Sequence, residues 1–115
     1  MEKLQDYMLL FRFVPDMQQT PTAEYLAEQK KMWGSWIGSI AAQAKLVSTH
    51  QLGFAGKRIS ADMQTTDGMA VYDSAIVGGN MVIKATDIED AVGIAKGCPI
   101  LTMGGNVEIR EILER

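Results

Sequence analysis

His50 is the only histidine among 115 residues, so any imidazole acid–base step must pass through it. It stands in a polar run, Ser48-Thr49-His50-Gln51, directly after Leu46-Val47. A surface or hydrogen-bonded loop histidine is the plain reading of that run; a proton-transfer group at a cavity mouth is the functional one. Asp67 is the second candidate. Followed by Gly68, it reads as a turn aspartate that accepts from the next amides. Partly buried at the mouth of a cavity, the same carboxylate would act as a general base or a hydrogen-bond anchor. His50 acting with Asp67 is the sharpest catalytic pairing available, and it would be lost with His50→Ala.

Arg12 interrupts an otherwise apolar run, Tyr7 to Val14, and a buried charge without a partner is costly. It must pair with Glu108 or with a second copy of the chain, or else anchor the carboxylate of a ligand. Tyr72 can offer its phenol to the same ligand, packing in a strand being its plainer role. Cys98 follows the end of a helix, where the negative dipole end disfavours a thiolate, and reads as structural. One histidine and one cysteine cannot fill a zinc shell, and no twelve-residue calcium loop is present. Gly78-Gly79 and Gly104-Gly105 lack the spacing of a phosphate-binding loop. No cofactor and no metal are expected.

The elements that must position these residues have to fit one domain spanning 1–115, long enough to bury about two-thirds of its unfolded surface. An apolar fraction of 47% is globular, and a net charge of −3 provides no basic field for nucleic acid. A lone cysteine points to a reducing cytoplasm. The first residues carry no apolar run of signal-peptide length, and nowhere do eighteen apolar residues follow one another. The expectation is a soluble cytoplasmic protein with no membrane partner.

Asp6 to Val14 is the strongest strand, with Tyr7, Leu9, Phe11 and Phe13 on one face and Met8, Leu10 and Val14 on the other. Two apolar faces demand a central strand covered on both sides. After a loop at Pro15 to Thr20, a helix starts at Thr20-Pro21 or Thr22 and runs to about Ala44. Its stripe is Leu26, Trp33, Ile37, Ile40 and Ala44, widened by Trp36, while Glu24, Glu28, Lys30 and Lys31 face out. Leu46 to Ser48 and Lys57 to Ala61 read as short strands, and Asp67-Gly68 as a turn before the β-formers Val71 and Tyr72. Asn80 to Ala85 alternates Met81, Ile83 and Ala85 against Asn80, Val82 and Lys84. A second helix is marked by Thr86 with Glu89 and by Asp87 with Asp90. Ile88, Ala91, Val92 and Ala95 share its face, Gly97 closes it in the left-handed conformation, and Pro99 forbids continuation. Gly104-Gly105 turns the chain into a last strand at Val107 and Ile109.

The order strand, helix, strand or hairpin, strand, helix, strand is the ferredoxin-like βαββαβ arrangement, an α+β fold with both helices on one face of an antiparallel sheet. The other face carries Met8, Leu10, Val82 and Ile112 together with Arg12, Lys84, Glu108 and Arg110. That mixture is too apolar for open solvent and too charged for a dry core. It is expected to pack against a second copy around a partly wet cavity.

Tyr7-Met8-Leu9-Leu10, the helix with Trp33 and Trp36 passing into Leu46-Val47, and Thr66-Asp67-Gly68 leading to Gly78-Gly79 together form a pattern. With Ala95-Lys96-Gly97-Cys98-Pro99 and Val107-Glu108-Ile109-Arg110, it resembles the YCII-related domain family, in the branch marked by an Asp-Gly-Pro-Phe element, over nearly the whole chain. The resemblance implies a dimeric α+β barrel, two ferredoxin-like sheets back to back. Smaller members of that family pair a histidine in or near the first helix with an aspartate as a proposed catalytic dyad. Here the proline and phenylalanine are replaced by Met69 and Ala70, the downstream acid and lysine positions hold Tyr72, Ser74 and Ala75, and the first helix has no histidine.

The leading expectation is a homodimer that binds a small, partly apolar and acidic molecule in the barrel cavity, with cofactor-independent acid–base chemistry through Asp67 and His50. The alternative is a non-enzymatic dimeric accessory or regulatory module whose cavity is filled by side chains. A cofactor-free oxygenase or isomerase is a third reading, by fold analogy.

Overall fold

A computed structural model describes residues 3–14, 21–68 and 75–113. The chain runs β1 (Gln5–Phe13), α1 (Ala23–Ala42), β2 (Leu46–Gln51), β3 (Lys57–Ile59), β4 (Thr65–Asp67), β5 (Ile76–Ala85), α2 (Ile88–Ala95), a 3₁₀ turn (Pro99–Met103) and β6 (Asn106–Glu111). The expectations for Pro15 to Thr20 and for Met69 to Tyr72 lie outside the described residues.

Apolar alternation on both faces puts β1 inside the sheet, paired antiparallel with β5 on one side and with β6 on the other. The sheet order is β2-β5-β1-β6, which is α+β and compatible with a ferredoxin-like arrangement. Into that order the chain inserts a separate hairpin, β3 with β4. The inner face is the one the alternation selects: Leu9, Met81, Ile83 and Ala85 are fully buried, with Tyr7 and Phe11 nearly so.

Both helices start where their caps allow. The Thr22 hydroxyl accepts from the Tyr25 amide at 3.0 Å, and the Asp87 carboxylate accepts from the Asp90 amide at 2.8 Å. Of the two possible starts for α2, Asp87 with Asp90 is the one realised. Asp90 in turn accepts from the Thr86 amide at 3.0 Å, a reciprocal cap that satisfies two otherwise orphaned donors. α1 packs through Trp36 and Ile40, with Trp33 and Ile37 beside them. Phe11 meets Trp33 and Trp36 edge-on at 5.2 and 5.9 Å, the geometry the ring quadrupoles favour. The Trp36 indole N–H donates to the Ile94 carbonyl at 3.1 Å, tying α1 to the last turn of α2.

Three local expectations are corrected. α1 stops at Ala42, and Ala44 takes a left-handed backbone (φ 59°), so it leaves the apolar stripe. Leu26 and Ile88 are exposed, each lying in the first turn or so of its helix, short of the region where helix meets sheet. Gly97 does not adopt the left-handed conformation; that falls to Gly104 (φ 80°), which closes the 3₁₀ turn. Gly97 is instead a matter of room: a Cβ there would stand 3.0 Å from the Trp36 ring.

The molecule is a slab about 20 Å thick, one sheet plus one layer of helices. Among the described residues both helices lie on the inner face, and nothing covers the outer one.

Candidate functional site

Directly opposed residues of an antiparallel pair share a face, so the register decides which side chains the outer face brings together. His50 stands opposite Asn80, Asn80 opposite Leu10, and Leu10 opposite Glu108. These four form one row across all four strands. The next row toward the N-terminus of β1 is Ser48, Val82, Met8 and Arg110. Three strand spacings separate His50 from Glu108, about 14 Å.

Arg12 lies on the same face, just beyond an irregularity in the register. Phe11 pairs with Gly79 but Arg12 pairs with Val77, leaving Gly78 as the extra residue of a bulge that re-aims the strand locally. A side chain on Gly78 would overlap the Phe13 ring, which is why the bulge is built on glycine. The Arg12 guanidinium donates from Nη2 to Glu108 Oε1 at 3.1 Å, and Arg110 donates from Nη1 to Glu108 Oε2 at 3.2 Å. Those hydrogen bonds, Arg110's first and then Arg12's, hold the Glu108 carboxyl below the usual carboxylate range. One carboxylate therefore serves two guanidinium groups, and among the described residues one positive charge is left over. Lys84 and Asp6, also on this face, neutralise each other at 3.0 Å.

An open pocket of about 710 Å³ lies at the Arg12 end of the face. Among the described residues it is lined by Arg12, Glu108, Asn106, Phe13 and the Gly104-Gly105 turn, with Val14 and Ala75 at its margin. Arg12 presents 22% of its side chain to solvent, so the guanidinium is fixed by Glu108 yet still reachable.

The pairing of Glu108 with Arg12, one of the roles expected for Arg12, is present. Asp67 and His50 are not brought together. Asp67 ends β4 on the separate hairpin, with its side chain 86% exposed and 3.0 Å from Lys57, so a single chain lacks the partial burial that would make it a base. His50 is exposed on β2 in the main sheet. Tyr72 lies outside the described residues. Cys98 is 2% exposed, and burial pushes its thiol up to about 11, as suits a structural cysteine. Asn80 and Arg110 are the polar residues that the sequence offered only as face-formers. Asn80 had a readable signal, a carboxamide in mid-strand between apolar neighbours.

No three His, Cys, Asp or Glu side chains converge among the described residues, and no described helix is long and apolar enough to cross a membrane. Comparison with models of known protein families and with curated proteins found no match.

Proposed function

We propose that this protein binds a small acidic organic molecule at the Arg12 end of the outer sheet face, and that two copies pair through that face to enclose it. The observation that carries the reading is the shared carboxylate: Arg12 and Arg110 both use Glu108, leaving, among the described residues, a net positive charge beside a pocket of ligand size in a chain whose overall charge is −3. A carboxylate ligand would complete the second guanidinium in charge-assisted geometry. The apolar part of such a ligand would lie against Phe13 and Val14, which line the pocket.

Pairing of two sheets agrees with the resemblance to the YCII-related family and with the mixed character of Met8, Leu10 and Val82 among charges. It would turn an open face into the walls of a cavity. His50 and Asn80 share that face, and acid–base turnover within the cavity falls to His50. The separation of Asp67 from His50 favours a second reading, a dimeric binding or regulatory module without turnover.

The test is a thermal-shift series with small aliphatic and aromatic carboxylates, each matched by its neutral amide. A ligand bound by the native state alone raises Tm with concentration. The expected result is stabilisation by acids, absent with amides and lost in Arg12→Gln. Equal responses to acid and amide, or an undiminished response in Arg12→Gln, would overturn the proposal.

A further inference from the structure

The β3–β4 hairpin is the least supported part of the described chain. Among the described residues its packing against the body is confined to its root, where Phe54 meets Phe13 edge-on at 6.4 Å and the Leu52 amide donates to the Gly78 carbonyl at 2.9 Å. Every residue from Gln51 to Asp67 is exposed, including Ile59 at 70% and Met63 at 79%. Two strands alone are marginal in water. The tip is nonetheless organised: Asp62 accepts from the Ser60 hydroxyl and from the Gln64 amide, and the Ser60 amide donates to the Gln64 carbonyl at 2.9 Å. Met63 is held outward on that ordered tip, with its own backbone in the left-handed region (φ 69°).

We infer that the hairpin is an arm whose apolar side chains, Ile59 and Met63, pack on the outer sheet face of a second copy of this chain. The inference deepens the paired-sheet reading and rests on it. The occupant is a second copy because, among the described residues, one chain carries two uncovered surfaces, the arm and the outer face of the sheet. A two-fold dimer covers both at once, each chain supplying what the other lacks. The area agrees. A folded monomer of this mass exposes about 6,200 Å², whereas this chain exposes 8451 Å². The surplus exceeds the roughly 800 Å² that each partner of a standard interface buries.

The experiment places a photo-activated cross-linking residue at Met63 in full-length protein and mixes isotopically light and heavy chains before irradiation. The expected products join a light chain to a heavy one, from position 63 to peptides containing Met8 to Arg12 or Asn80 to Lys84. Cross-links within single chains only, or links between chains that miss both peptides, would overturn the inference. As a second measurement, Ile59→Glu combined with Met63→Glu should weaken dimerisation at least about tenfold, while circular dichroism of dilute protein stays unchanged, both side chains being exposed. A dimer of unaltered affinity in that variant refutes the arm and leaves the paired sheets standing. A wild-type chain that sediments as a monomer at every concentration refutes both.

Discussion

Leu10→Ser puts the pairing of two sheets to a direct quantitative test. Leu10 lies in the middle of the outer face, opposite Asn80 on β5 and Glu108 on β6, and within one chain its side chain is already half-buried by those neighbours. Full burial of a leucine stabilises by about 1.5–3 kcal/mol, so about half of that, roughly 1 kcal/mol, remains to be gained at an interface. A two-fold axis counts the residue twice, giving about 2 kcal/mol, or about thirtyfold in the dimer dissociation constant. The isolated chain loses only the half it already had, about 1 kcal/mol, which for 115 residues lowers Tm by about 4 °C. Sedimentation equilibrium over a range of concentrations separates the two effects. The expected result is a wild-type dimer and a Leu10→Ser protein shifted toward monomer by at least that factor. A variant whose dissociation constant lies within twofold of wild type would refute the claim that this face is buried between copies.

Gly79→Ala should be strongly destabilising, because its Cβ would stand 2.7 Å from the His50 carbonyl oxygen, a backbone atom of the paired strand that cannot rotate away. A cost of about 1–3 kcal/mol, seen as a fall in thermal midpoint of about 4–12 °C, is expected, with faster amide exchange in β2. Asp90→Asn tests the α2 cap. Hydrogen bonding from the Thr86 backbone, with the charge of Lys45 assisting, lowers the Asp90 pKa. A depressed pKa means stabilisation that is complete above the unfolded-chain value, about 3.9, and lost as pH falls through the folded value. The difference in unfolding free energy between wild type and Asp90→Asn should therefore be constant, at about 0.3–1 kcal/mol, from neutrality down to about pH 5. It should begin to shrink below about pH 4 and vanish once the pH is under the folded value; a difference that did not shrink at all as the pH fell further would exclude the charge as its source.

Much of the architecture was legible because it rests on local periodicity. Strict alternation in β1 and β5 separated Leu9, Met81 and Ile83 from Met8, Leu10 and Val82, and burial follows that division. Asp87 with Asp90 marked the start of α2, since a cap is a contact between residues three apart. Gly97 was misread because a glycine after a helix suits either a left-handed turn or close packing, and only the position of Trp36 distinguishes them. The site was less legible. Asp67 and His50 were coupled as the chain's plausible acid–base pair, yet the hairpin between them carries Asp67 onto a separate sheet beside Lys57.

The amino-acid order alone determined the two helices, the long strands β1 and β5 and which of their faces is apolar, because those properties depend on neighbours one to four positions away. It also required Arg12 to find a partner, since an unpaired charge in an apolar strand is costly wherever the strand lies. The short strand Thr65–Asp67, where a turn at Asp67-Gly68 was expected, and the extension of β2 through His50 came only with their pairing partners. Only the tertiary structure decided that this partner is Glu108, that Arg110 shares it, and that His50 and Asn80 lie in one row with Leu10. Those relations join positions up to 96 residues apart, and they are fixed by strand register and a bulge at Gly78. A shift of one residue in that register would turn each of these side chains to the opposite face of the sheet.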